Sequence, residues 1–366
     1  MSKGEEKHSM KTYRKYRFAW LAAGILALGL LAGGLMNVIA DAKTKNADVM
    51  ITSLDRVTLA FTGDLQFTGT VAKQIKKNGT SYPFTDVKPI LARADIAVGN
   101  LETTLTTRGA AQNKQFTFRS DPRMAQAMAD SGYDLVGLAN NHTMDFGQDS
   151  LLDTIKHLQK AKLIPMGAGK NLTEATQIHY ITKRGKTIAF LNYSRVLPST
   201  SWMAGANKPG LASAYNPKGM YSKVREARKN ADMVIVFIHW GKERMTVPEA
   251  YQTEMGHKLV DAGADLVVGH HSHIMQPVEW YKGKLIAYSL GNFVFTKSKM
   301  DLCNQTAILE VALNGKRIQA NLVPAHIING RPRLMTGAEK ASFLNFIDRI
   351  SPKATVKSDG TIVPSP

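Results

Sequence analysis

A chain of 366 residues with 44% hydrophobic and 21% charged content is large enough, and ordinary enough, to fold around a substantial buried core. Its 47 basic residues against 29 acidic ones give a net charge of +18, which favours anionic partners such as lipid headgroups, teichoic acids or an acidic polymer. Nucleic acid would satisfy the same charge, but no recognisable nucleic-acid module is present. Cys303 stands alone, so an intramolecular disulfide is excluded.

The first elements differ from the rest. Lys3, Lys7, Lys11, Arg14, Lys15 and Arg17 make residues 1–17 a basic tail. An uncharged apolar run follows from Phe18 to Ala40, broken only by Asn37. At about 1.5 Å per residue, 18–40 spans the roughly 30 Å of a hydrocarbon core. The basic flank predicts a single-pass signal-anchor in the cell membrane, N-terminus cytoplasmic and the main domain outside. The rival is a cleaved signal peptide ending at Ala40-Asp41-Ala42. Residues 41–55 read as a polar linker.

From residue 56 onward, apolar runs alternate with helical stretches. Val57 to Phe61 is a strand leading into Thr62-Gly63-Asp64. Short helices are expected over Val71 to Lys77 and Pro89 to Arg93, and Ile96 to Val98 leads into Gly99-Asn100-Leu101-Glu102. Pro122 to Ser131 is a helix, and Leu135 to Leu138 leads into Ala139-Asn140-Asn141-His142, with Asp145 and Gly147 following. Gln148 to Ala161 sets Leu151, Leu152, Ile155 and Leu158 at helical spacing, and strands are expected at Ile164 to Gly167 and Thr187 to Leu191. The Gly-rich stretch from Ala204 to Gly219 reads as a loop, near which Arg195, Trp202 and Lys208 either contact substrate or are simply solvated.

Helices over Pro217 to Ala231 and Glu249 to Ala262 feed strands ending at His239 and at His270. The second opens into Gly269-His270-His271-Ser272-His273, which holds three of the ten histidines within four positions. One amphipathic helix around Phe343 to Ile350 closes the domain at 56–350, and 351–366 reads as a disordered tail. Alternating strands and helices predict α/β construction with a largely parallel sheet.

Five times an apolar run stops where an Asp, Glu, Asn or His begins. Runs apolar on both faces are buried strands, and functional groups collect at the carboxyl ends of such strands. Each residue alone has a plainer reading: Asp64 caps a helix, Asn140-Asn141 forms a turn, and Trp240, Tyr288, Phe293 and Phe295 pack. His157, His179, His257 and His326 join no cluster. Joint occurrence favours a site.

These strings, together with Tyr288-Ser289-Leu290-Gly291-Asn292-Phe293-Val294-Phe295, resemble the CapA family of capsule and poly-γ-glutamate synthesis proteins over roughly Arg56 to Pro324. The resemblance implies a variant of the calcineurin-like metallophosphoesterase fold, two β-sheets sandwiched between helices. It implies one or two divalent ions (Mn, Fe or Zn) held by Asp64, Glu102, Asn141, His239, His271 and His273. It also makes His142 the general acid, oriented by Asp145. Asn100, Asn140, Glu243, His270 and Asn292 would support ligands or substrate. Asn100 is the alternative to Glu102 as the bridging ligand, and His270 is the residue of the triplet that pair spacing can spare.

The chain departs from the phosphoesterase pattern twice: Asp64-Leu65-Gln66 replaces Asp-x-His, and Gly99-Asn100-Leu101-Glu102 replaces Gly-Asp. Three functions are compatible with this reading. One is a membrane-anchored subunit that makes, exports or anchors poly-γ-glutamate alongside other capsule synthesis subunits. The second is an independent phosphoesterase acting on a cell-envelope substrate. The third is a non-catalytic binder of anionic polymer.

Overall fold

The computed structural model describes residues 56–314 and 317–365. The expected signal-anchor and linker lie outside those residues. Among the described residues no helix is long and apolar enough to cross a membrane.

Two sheets carry the domain. The larger runs in the spatial order Ala354–Val356, Thr361–Pro364, Arg317–Ile328, Gln305–Asn314, Val57–Leu65, Ile96–Leu101, Leu135–Gly137, Ile164–Met166. Its half from Val57–Leu65 onward is parallel, as the sequence predicts, and its other half is antiparallel. The six-stranded sheet runs Val278–Tyr281, Lys284–Ala287, Leu266–His270, Met233–His239, Lys186–Ser194, His179–Lys183, with the four middle strands parallel.

Alternation along each strand assigns the layers. Leu59 and Phe61 face the second sheet, whereas Ala60 faces outward. In the second sheet Met233, Ile235 and Phe237 turn inward, while Val234, Val236 and Ile238 turn outward. Phe61 and Phe237 meet across the gap with ring centroids 5.7 Å apart. Helices Gly69–Asn78, Met124–Asp130 and Gln148–Lys160 cover the outer face of the first sheet through Val71, Met128 and Leu151. Pro217–Asn230 and Ala250–Ala262 cover the second through Val224 and Leu259. The result is the helix–sheet–sheet–helix sandwich expected.

Local sequence sets the helix ends. Pro217 opens one helix at its first turn, where its missing N–H costs nothing. Glu249 and Gln252 form a reciprocal cap at the start of Ala250–Ala262, and Gly263 closes that helix at φ 118°.

The tail needs correction. Residues 351–365 are not the disordered segment that the composition of 351–366 suggests: Ala354–Val356 and Thr361–Pro364 pair with each other and extend the first sheet through Ala320 and Ile362. Ala354, Val356 and Ile362 bury their side chains in the inter-sheet core beside Phe343 and Ile347 of the Gly337–Ile350 helix. The segment is too short and polar to show a periodicity of its own; the apolar edge it covers exists only in the folded sheet.

Candidate metal centre

All the carboxyl ends of the central parallel strands open at one end of the sandwich. Register places Asp64 beside Asn100 and beside Asn292, and His239 beside His270. Strings far apart in the sequence therefore meet in one place.

Glu102, His271 and His273 each offer a donor atom, and these atoms lie within 4.8 Å of one another. His239 Nε2 is 3.6 Å from Glu102 Oε1 and 2.8 Å from Asn141 Oδ1, and His273 Nε2 is 3.8 Å from Glu102 Oε1. His273 Nδ1 in turn meets Asn292 Oδ1 at 2.8 Å, which fixes the ring, while Asn292 donates to the Cys303 carbonyl. Asn100 donates to Asp64 Oδ1 at 2.8 Å, and Asn140 donates to Asn100 Oδ1 and to the Leu101 carbonyl. Asn100 and Asn140 are thus braces between neighbouring strand ends.

The chemistry of this donor set fits a divalent cation. Asp64 Oδ2, both oxygens of Glu102, both ring nitrogens of His270 and His271 Nδ1 are buried without a hydrogen-bond partner. Native proteins rarely leave buried polar atoms unsatisfied, and each costs about 1–3 kcal/mol or more if charged. Asp64 and Glu102 are fully buried and close enough that, after burial itself, the Asp64 charge is what most pushes Glu102 well above the usual carboxylate range. Burial also raises Asp64, but His270, His273 and Asn100 outweigh it and leave its carboxyl below the usual range. Two adjoining buried carboxyl groups flanked by imidazoles are what a cation would compensate.

Burial, reinforced by the neighbouring histidines, holds His239 well below the usual histidine range; burial and then His273 push His271 down to about 3. These shifts predict how the metal-stripped domain responds to acid. Below about pH 6.5 the unfolded chain takes up protons that folded His239 and His271 refuse, so each contributes stability that is lost as pH falls. Glu102, raised in the fold, works in the opposite sense and offsets at most one of the two. Stability in a chelator is therefore expected to fall as pH drops from about 6.5 to 4.5, with the lowered His142 adding to the loss, read from urea midpoints. A flat or rising profile would contradict this balance.

His142 lies beside the cluster. Its Nδ1 is 2.7 Å from Asp145 Oδ2, as expected, and its ring stacks on Phe118 at 4.3 Å. Burial lowers His142 in spite of Asp145, so near neutral pH its ring is neutral. With Nδ1–H given to Asp145, Nε2 carries the lone pair and accepts a proton; donation to a leaving oxygen follows only after that proton is gained.

Sequence reasoning passed over three supports, although Asn192 directly follows the expected strand Thr187 to Leu191. Lys114, in the patternless stretch Ala110 to Lys114, reaches Asp145 Oδ1 at 2.7 Å and also bonds the Asn141 carbonyl. The Phe118 N–H donates to Asp145 Oδ2 at 2.6 Å. Asn192, on the second sheet, accepts from the Ala139 N–H at 2.8 Å and so ties the loop bearing Asn140 to the opposite layer. Lys114→Met would leave a fully buried carboxylate with one fewer cation, at a cost of about 3 kcal/mol. Urea denaturation measures it, and a loss below about 1 kcal/mol would show the pair to be dispensable.

Two expectations change. Glu243 is exposed and makes no hydrogen bond to His239, whose nitrogens face Asn100 and Asn141 instead. The turn after Gly241 carries it out to solvent. His270 is no bystander: it is 1% exposed and its Nδ1 is 3.3 Å from Asp64 Oδ1. Elsewhere His257 pairs with Glu279 and His326 with Glu339, outside the cluster as expected. Trp202 is buried, Arg195 stacks on Tyr215 and Lys208 bonds the Ser201 carbonyl, so all three have structural partners.

A family model described as bacterial capsule synthesis protein PGA_cap matches residues 58–297, well over half the chain. The chain belongs to that family. Among relatives, the PGA biosynthesis protein CapA of Bacillus subtilis is 34% identical over 256 residues, covering 69% of this chain and 67% of that one. The capsule biosynthesis protein CapA of Bacillus anthracis is 32% identical over 294 residues, covering 78% and 71%. A probable polyglutamine synthesis accessory protein of Mycobacterium tuberculosis is 30% identical over 225 residues, covering 58% and 59%. The family's match ends at residue 297, before the antiparallel half of the large sheet. Solved structures with some likeness include a hypothetical protein from Thermus thermophilus (16% identity, TM-score 0.46, covering 73% of this chain and 99% of that one). Another is the sulfate thiohydrolase SoxB of the same organism (16%, TM-score 0.40, covering 72% and 44%). At these scores they add nothing to the architecture described above.

Proposed function

We propose that this protein is a membrane-anchored accessory subunit of capsule synthesis that works on an anionic polymer of the poly-γ-glutamate kind outside the cell, through a metal-dependent hydrolytic site. Family membership and the relatives' names support the pathway. One observation carries the chemistry: a largely buried set of carboxyl groups and imidazoles with orphaned donor atoms at the strand ends. The net charge of +18 suits an acidic polymer, and the basic, apolar N-terminal segment suits anchoring beside other synthesis subunits.

In this reading Glu102, Asn141, His239, His271 and His273 hold a divalent ion, of which Mn, Fe and Zn are the candidates. Such an ion supplies Lewis acidity and a water acidic enough to attack at neutral pH. Asn292 fixes the His273 ring. Asp145, held by Lys114 and the Phe118 N–H, fixes His142, whose Nε2 accepts and returns a proton beside the reacting bond. Residues 41–55 form the linker.

The test is hydrolysis of poly-γ-glutamate and of simple phosphoesters by the full chain in mild detergent, comparing wild type with His142→Ala. Metal-dependent turnover of either substrate that is lost in the variant supports the reading, and the substrate decides between capsule processing and an independent phosphoesterase. A protein that binds the polymer yet turns over nothing would make it a non-catalytic holder of polymer and sink the hydrolytic half.

A further inference from the structure

The arginines of the domain differ in what holds them. Arg93, Arg108, Arg228 and Arg333 each bond a carboxylate, on Glu310, Asp153, Asp265 and Glu339. Arg119 and Arg195 have no acidic partner among the described residues and are seated on aromatic rings instead. The guanidinium carbon of Arg119 is 3.7 Å from the Phe146 ring centroid, and that of Arg195 is 3.9 Å from the Tyr215 centroid. Every other cation–ring contact among the described residues is 5.0 Å or longer.

Both close stacks stand at the rim of the metal centre, one reached from each sheet. Phe146 follows Asp145, and Phe118, the residue before Arg119, stacks on His142. Arg119 also pairs in register with Thr104, two residues beyond Glu102. On the second sheet the Arg195 N–H donates to the His239 carbonyl at 2.8 Å. Its guanidinium is 5.4 Å from the ring of Tyr251, whose hydroxyl accepts from the Gly241 N–H. Each arginine is thereby tied to a segment that carries a site residue.

A ring beneath a guanidinium takes only its face. The N–H groups lie in the guanidinium plane, where two of them match one carboxylate. Arg119 gives one nitrogen to the Gly109 carbonyl, while the Arg195 side chain gives none to any acceptor among the described residues. Because the rings hold both cations in place beforehand, binding loses less side-chain freedom. Two such cations at one centre favour a ligand with several carboxylates over one with a single charge. We infer that Arg119 and Arg195 form a carboxylate-binding pair that seats an oligocarboxylate chain across the metal centre, each taking a different carboxylate. The inference rests on the acidic-polymer reading above and deepens it, naming the residues that recognise a γ-linked glutamate chain, which carries one carboxylate on every residue.

The experiment follows the fluorescence anisotropy of a labelled γ-linked octaglutamate with the full chain in mild detergent and chelator, so that no turnover interferes. Wild type is expected to bind, and acetate should compete at least about 100-fold more weakly than unlabelled octaglutamate. Arg119→Gln and Arg195→Gln should each weaken binding about 10-fold, and together about 100-fold. Arg195→Lys should recover little of this, because an ammonium keeps the charge and loses the fork. Tyr215→Ala removes a ring that is 45% exposed, keeps every charge, and should weaken binding about 3-fold or more. Arg225→Gln, exposed on the Pro217–Asn230 helix, removes the same charge elsewhere and should change affinity less than about 2-fold.

Equal weakening by Arg225→Gln would overturn the inference and assign the binding to net charge alone. Unchanged affinity in both glutamine variants would also overturn it and leave the polymer reading intact. Tighter binding of a glycerol phosphate oligomer of equal charge would move the ligand class to phosphate and overturn the carboxylate assignment. A wild type that binds no octaglutamate here but hydrolyses it once metal is restored would overturn this inference alone. One that does neither would overturn both it and the polymer reading.

Discussion

His271→Ala combined with His273→Ala is expected to abolish binding of the Glu102-centred ion and every metal-dependent activity. Two of the three convergent donors disappear, and Glu102 and His239 then lack partners for any divalent ion. Metal counted by mass spectrometry after purification should fall by about one equivalent or more, and any turnover should fall by at least about 100-fold. The stability response is more telling. His271 and His273 both sit at positive φ, 91° and 58°, where a residue with a Cβ pays about 1–3 kcal/mol. Alanine keeps that backbone strain but removes two rings from a crowded pocket, so the metal-free variant should melt close to stripped wild type. The melting increase that added metal gives wild type should vanish. A double variant that retains its metal would refute this ligand set.

Gly269→Ala should be among the most destabilising single methyls in the domain. Gly269 ends the Leu266–His270 strand just before the histidines, and a Cβ there would overlap the Tyr288 carbonyl oxygen and the Trp240 Nε1 atom. Neither can yield: Trp240 Nε1 donates to that same carbonyl at 2.9 Å, and its ring is fully buried. The change should cost about 3–5 kcal/mol, or leave the protein insoluble, measured by chemical denaturation. Gly283→Ala is the control, since its Cβ would meet nothing, though its φ of 73° adds a modest penalty. If Gly269→Ala matched that control, the close approach of the Tyr288 strand end would be wrong.

Both expectations concern residues that stand out in the sequence. Gly269-His270-His271-Ser272-His273 and the strings at Asp64, Glu102, Asn141 and His239 are legible because each follows an apolar run long enough to be a buried strand. The parallel half of the architecture is legible for the same reason. Less visible is the antiparallel half. Arg317–Ile328 alternates exposed with buried residues and carries charge at its start, so it lacks the uniformly apolar signature of a central strand. The tail hairpin reads as disorder because its few apolar residues gain their meaning only against Ala320 and the closing helix.

Within the site, the sequence by itself determined the donor inventory: which carboxylates, amides and imidazoles end which strands, and therefore that polar donor groups gather at the strand ends. Tertiary structure alone decided how those donors are shared. It turned Asn100 and Asn140 into braces, sent Glu243 to solvent, brought Lys114 in from a segment with no pattern, tied Asn192 to the Ala139 loop, and set His270 against Asp64 from the opposite sheet. The physical reason is that a strand end specifies a residue's height and face through local alternation. Its partner is specified by register and sheet-to-sheet packing, which depend on residues far away along the chain.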